Sequence, residues 1–241
     1  DLSAISELGE WPDQGESILL GAGAPYTRIY QELAKELPGL AMASRTVGSL
    51  QIRNKGGVGG NLGSASPAGD AHPPLLASGA AVNVASVNGT RAIDINDFFL
   101  GPKKNAMNPD EIITSVLIPK ARGGQQYSKI GTRNAMVIAV CSFGIAIDAK
   151  NKSVGTGIGS AGPTPLRAHE AETYAATHLD WANGSAVTPE MMKEFGALVA
   201  AASKPIDDVR GTAAYRRHSL AVISGRCLKW AWTSTQDMRS K

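Results

Sequence analysis

Apolar positions recur along the chain in two spacings, and the alternation between them outlines its elements. Ser17 to Gly21 is a short apolar run that reads as a strand. Thr27 can cap a helix in which Ile29, Leu33 and Leu37 recur every four residues, and Pro38-Gly39 stops it. A second helix is expected from Leu40 toward Val47, delivering Gln51 to Lys55 into a glycine-rich loop. Beyond the loop, Pro73 and Pro74 are tolerated only in the first turn of a helix, here one ending near Ser78. Val82 to Ser86 alternates, Asn88-Gly89 signals a type I′ hairpin, and Thr90 to Ile95 alternates back. An Asn108-Pro109-Asp110 turn precedes a strand, Glu111 to Ile118, closed by Pro119. Asp1 to Glu16 reads as loop and short elements.

Lys120 to Gln126, with Gly123-Gly124, looks like a linker, which sets the domains at 1–119 and 127–241. The second half opens with a strand, Tyr127 to Gly131, and a period-two stretch, Val137 to Asp148. A Lys150-Asn151-Lys152 turn leads to a strand, Ser153 to Gly159. Three helices follow: Arg167 to His178, Thr188 to Ala202 and Thr212 to Trp232, the last two capped by their threonines. Strands followed by helices define an α+β class.

At 241 residues, 43% apolar and 19% charged, the chain can bury a core in one or two domains. A net charge of +3, scattered along the sequence, argues against nucleic acid as a partner. Cys141 and Cys227 are far apart and lie among apolar residues, so buried free thiols in a reducing, cytoplasmic setting are expected. No C-x-x-C pair offers a metal or cluster site, and no apolar run reaches the roughly 20 residues of a membrane helix. The start, Asp1-Leu2-Ser3, shows no signal-peptide pattern.

The chemistry concentrates in Gly56 to Asp70, where glycines at 56, 57, 59, 60 and 63 can expose consecutive amides as a nest for an anion. Asn61, Ser64 and Ser66 can add hydrogen bonds, and Asp70 can accept from a sugar hydroxyl. This suits a dinucleotide diphosphate, although neither a Walker loop nor a Rossmann fingerprint is present. A tight structural loop explains the composition equally well. The Gly155-Thr156-Gly157-Ile158-Gly159 run reads as a strand whose glycines permit close packing. His72, His169, His178 and His218 have no ligand spacing, and no G-x-S-x-G elbow supports a hydrolase. Arg216-Arg217-His218 reads as a solvated helix face or subunit contact.

The order of residues is more specific than their composition. The runs Gln51 to Asn61, Ala65 to Asp70, Gly162 to Ala168 and Asp208 to His218 resemble the flavoprotein of the molybdenum hydroxylases: xanthine dehydrogenase, aldehyde oxidoreductases and aerobic carbon monoxide dehydrogenases. The resemblance covers nearly the whole chain. It implies an FAD-binding α+β sheet domain followed by a small antiparallel sheet with a helical layer. It also implies FAD on Gly57, Val58, Gly59, Gly60 and Asn61, with Ser64 and Asp70 on hydroxyls or phosphate. Lys129 falls near the family's flavin and Ile113 at an apolar position beside its ring, though by themselves they read as a solvated lysine and a core residue. No residue of this chain takes a catalytic role in that reading, because a flavin performs its own redox chemistry.

Electrons would come from the molybdenum cofactor of a large subunit through the [2Fe–2S] clusters of a small one, in a dimer of heterotrimers. They would leave to NAD⁺, a quinone or oxygen. The family also carries an earlier glycine loop, which Gly21-Ala22-Gly23-Ala24 does not match. About fifty residues upstream are therefore expected, by analogy with the family's domain size. Two other readings stand beside this one: a free-standing flavoenzyme of the vanillyl-alcohol-oxidase type, and a non-catalytic interaction subunit whose glycine loop is architectural.

Overall fold

Four antiparallel strands form the first sheet of the computed structural model, which describes residues 5–240; the expected loop residues 1–4 lie outside it, as does residue 241. Their order is Ser17–Gly21 (β1), Ile112–Pro119, Ala81–Ser86 (β2) and Gly89–Asp94 (β3). Alternate side chains of β1 and β2 point inward, so Ile18, Leu20, Val82 and Val84 are buried. The hairpin forms, but its two turn residues are Val87 and Asn88, and Gly89 alone takes positive φ (130°). The expected type I′ turn needs Asn88 in that region and is not made.

Short helices cover one face. The first is Tyr26–Glu32 (α1), and Pro38–Thr46 (α2) follows, with proline in its first turn. Pro38 thus starts a helix and does not stop one, because its missing N–H falls where a helix leaves amides unpaired. Leu50–Lys55 (α3) is capped by the Ser49 hydroxyl, which accepts from Ile52 N at 3.3 Å. The glycine-rich stretch is not a loop throughout: Val58–Ser64 is a helix (α4) ended by Ala65 in the left-handed region. His72–Ser78 (α5) carries Pro73 and Pro74 in its first turn, as expected, and ends at Gly79. Ile95–Phe98 (α6), Phe99–Gly101 (β4) and Lys104–Asn105 (β5) lead to the central strand Ile112–Pro119 (β6).

The second sheet is Gln125–Ile130 (β7), Cys141–Asp148 (β8) and Ser153–Gly159 (β9), antiparallel in that order. His169–His178 (α7), Pro189–Ala202 (α8) and Ala213–Arg239 (α9) complete the chain. Thr188 and Thr212 cap α8 and α9 through Met191 N and Tyr215 N. The helix α9 runs past the expected end at Trp232, because Thr235 remains on its buried face. The expected period-two strand from Val137 begins only at Cys141 and is buried almost continuously. The cause is cover on both faces: Ile145 and Phe143 lie in a core with α8 and α9, while Gly144 lies against Pro73 of α5.

The strand β9 shows the same cover. A Cβ on Gly155 or Gly157 would stand 2.1 Å from the carbonyl oxygens of Ala77 and Pro73, so α5 lies directly on the strand. The segment before β7 is also enclosed. Gly124 N donates to Thr235 Oγ1 at 2.8 Å, and Gln125 Oε1 accepts from Gly39 N at 3.0 Å. Both cysteines are buried and free, and burial pushes the Cys141 thiol up to about 12 and the Cys227 thiol to about 11. Among the described residues, no helix is long and apolar enough to cross a membrane.

Candidate functional site

The helix α4 forms in a glycine-rich sequence because its two large apolar residues, Val58 and Leu62, are one turn apart and both fully buried. Gly57 and Gly59 face inward as well. Their Cβ positions would lie 2.7 Å from the carbonyl oxygens of Ala24 and Ala22, and Gly59 N donates to Ala22 O at 3.0 Å. These two glycines therefore admit the chain's own backbone, where the sequence suggested a ligand. The open positions are Gly60, which would present a Cβ to empty space, and exposed Gly63 and Ser64.

Asn61 turns its side chain back into the protein, its Oδ1 accepting from Ala71 N at 3.2 Å. Its carbonyl accepts from Ser64 Oγ (2.8 Å) and from His72 Nε2 (3.1 Å). His72 is fully buried, its ring 4.6 Å from that of Phe99, and burial holds its imidazole down to about 4. Gly69 makes room for it, since a Cβ there would overlap the ring.

Asp70 lies at the seam between the two cores, where residues of both halves meet its carboxylate. Lys129 Nζ donates to Oδ2 at 2.7 Å and the Tyr127 hydroxyl to Oδ1 at 2.9 Å. Lys129 also donates to Thr46 O at 3.2 Å. Tyr127 and Lys129 are two apart on β7 and so share a face. Burial raises the Asp70 carboxyl above its ordinary value, while Lys129 and Tyr127 pull it back down. Tyr127 is pushed well up, by burial first and by Asp70 second. Lys129 is thus not a solvated side chain. Ile113 sits in the first core, its Cδ1 4.0 Å from where a Gly63 Cβ would stand.

The expected residues fall into two groups. Asn61, Ser64, Asp70 and Lys129 converge through Ala71 and the seam, and Gly60 and Gly63 stay open beside them. Gly57, Val58 and Gly59 face inward. Tyr127 and His72 are absent from the expected set; Tyr127's i, i+2 spacing with Lys129 was a usable signal, while nothing local marked His72. Arg216 corrects the reading of a solvated helix face. It is buried, pairs with Asp208 and donates to Val140 O at 2.7 Å, because α9 turns this side toward the loop before β8.

The architecture is thus a mixed domain joined to a small antiparallel sheet under helices. Residues 1–121 match the FAD binding domain in molybdopterin dehydrogenase, and residues 126–231 match the CO dehydrogenase flavoprotein C-terminal domain. The chain is 32% identical to the nicotine 6-hydroxylase medium subunit of Paenarthrobacter nicotinovorans, covering 90% of this chain and 75% of that one. It is 27% identical to the glyceraldehyde dehydrogenase medium chain of Sulfolobus acidocaldarius, over 95% of this chain and 81% of that one. The structure superposes on reconstituted CO dehydrogenase from Oligotropha carboxidovorans with a TM-score of 0.87 at 25% identity, covering 97% of this chain and 82% of that one. The chain belongs to the family of FAD-binding medium subunits of the molybdenum hydroxylases.

Proposed function

We propose that this protein is the electron-transfer subunit of a cytoplasmic molybdenum hydroxylase complex. It would take electrons from the [2Fe–2S] clusters of a small subunit, reduced in turn by a large molybdenum subunit, and deliver them to NAD⁺, a quinone or oxygen. The boundary at 120–126 then separates an FAD-binding domain from a C-terminal flavoprotein domain. Bound FAD supplies the exchange between one- and two-electron chemistry. The observation that carries this reading is the open edge at Gly60, Gly63 and Ser64, lying next to the buried Asp70–Lys129 pair through the Asn61–Ala71 hydrogen bond.

Each residue then has a role set by its position. Gly60 and Gly63 let a diphosphate approach the backbone without a side chain in the way. Ser64 offers a hydroxyl at the surface of the same edge. Asn61 fixes that edge to the start of α5. Lys129 places a fixed cation at the seam, where Asp70 and Tyr127 hold its orientation, and a cation beside a bound flavin favours the reduced, anionic form. Gly57, Val58 and Gly59 seat the start of α4 against the first core.

The test is Gly60→Val in the full chain. Its side chain enters open space, so the melting transition is expected to stay in place while the visible flavin absorbance is lost. Full flavin occupancy in that variant would remove the diphosphate from this edge.

A further inference from the structure

A second concave site carries groups that the proposed function leaves unused. A cavity of about 550 Å³ opens between Ser66–Ala68, the Pro102-Lys103 corner, the turn at Ser160–Pro163 and the segment leading into α9. Ile138 and Ile206 line it at 54% and 72% exposure, and Val209 of the same segment is fully exposed. Large apolar side chains so exposed, gathered at one recess, characterise surface that another protein covers.

The charge of the recess is one-sided. Lys103, Lys204, Arg210 and Arg216 line it against one carboxylate, Asp208. Asp208 already pairs with Arg210 (3.1 Å) and with Arg216, and among the described residues Lys103 and Lys204 have no carboxylate partner. The walls are built in place. Ser160 N donates to Pro67 O at 2.8 Å, Lys103 N donates to Ala65 O at 3.1 Å, and buried Arg216 ties α9 to the carbonyl of Val140.

We propose that this recess docks a partner-protein segment in which an acidic side chain stands beside an apolar one. The apolar group covers Ile138 and Ile206, and the carboxylate meets Lys103 and Lys204. The surplus of positive charge selects an acidic partner over a neutral or basic one. Isoleucines exposed beyond half their surface call for a macromolecule, because a small ligand in the recess would leave their outer sides in water. The inference rests on the reading of this chain as one subunit of a complex.

The experiment uses the full chain produced together with its partner subunits. Photoreactive benzoylphenylalanine in place of Ile206 is expected to cross-link to a partner subunit, at a peptide with Asp or Glu beside an apolar residue. The same probe in place of Val87, at the tip of the β2–β3 hairpin, is expected to give none. Lys103→Glu with Lys204→Glu is expected to weaken assembly by about tenfold and to flatten its salt dependence. The isolated double variant should keep its flavin content and melting temperature. Wild-type assembly of that variant overturns the proposal, as does absence of a cross-link from position 206 or one to a peptide without an acid. Saturable binding of 1-anilinonaphthalene-8-sulfonate in this recess within the assembled complex overturns it too, in favour of a small-anion site. Loss of flavin from the wild-type chain would count against the flavoprotein reading, while the cross-link and assembly results would still decide the docking.

Discussion

Asp70 and Lys129 are almost wholly withdrawn from water, and each is the other's ion-pair partner at 2.7 Å. Removing one leaves a buried charge uncompensated. Lys129→Met is therefore expected to cost about 3–5 kcal/mol in denaturant unfolding, and Asp70→Asn combined with Lys129→Met to cost less. A double variant as unstable as the sum of the singles would show that the two residues act independently. His72 supplies a pH test. Burial holds its folded value at about 4 against an ordinary 6.5, so the unfolded chain takes up a proton between those values that the folded chain refuses. Its contribution is full above pH 6.5 and is lost as pH falls toward 4, by about 2 kcal/mol between pH 7 and pH 5. His72→Asn should show a smaller drop in melting temperature over the same interval. Equal drops would place the titration elsewhere.

At the scale of elements, β1, β6 and β9, the three C-terminal helices and the proline-headed α5 were legible in the sequence, because periodicity and caps agreed there. The widest departure was α4. Three glycines lie between Val58 and Ser64, each costing about 1 kcal/mol against alanine in a helix, so local propensity pointed to a loop. Burial of Val58 and Leu62 against the first core overrode it, and no window of seven residues shows that contact. The Asp70–Lys129 pair was hidden for the same reason, being brought together across 59 positions. Lys129 was singled out only through the family resemblance, whereas Asp70 was also legible as a hydrogen-bond acceptor closing the glycine stretch. Glycine roles separate cleanly in a test. Gly157→Ala drives a methyl into Pro73 O and is expected to destabilise by about 1–3 kcal/mol or more. Gly60→Ala, with open space above it inside a helix, should be neutral or stabilising by about 0.5–1 kcal/mol. Chemical denaturation of the pair checks both, and equal losses would contradict the packing of α5 on β9.

For the whole molecule, the two cores are distinct but share a wall. Leu75 and Leu76 of α5 belong to the first, while the same helix lies on β8 and β9 of the second. Thr235 adds a second tie, its hydroxyl holding Gly124 N. Thermal unfolding of the full chain is accordingly expected as one transition, with residues 126–240 alone giving no cooperative melt. A sharp independent transition in that fragment would show that the second sheet needs no cover from the first half.

The seat of α5 across β8 and β9 also bears on recombination among relatives. Grafting a foreign C-terminal sheet at residue 121 would place it beneath a helix whose close seat is made by Gly155, Gly157 and Gly159 of this chain. A workable crossover lies upstream of His72, so that strap and strand travel together as one inherited piece.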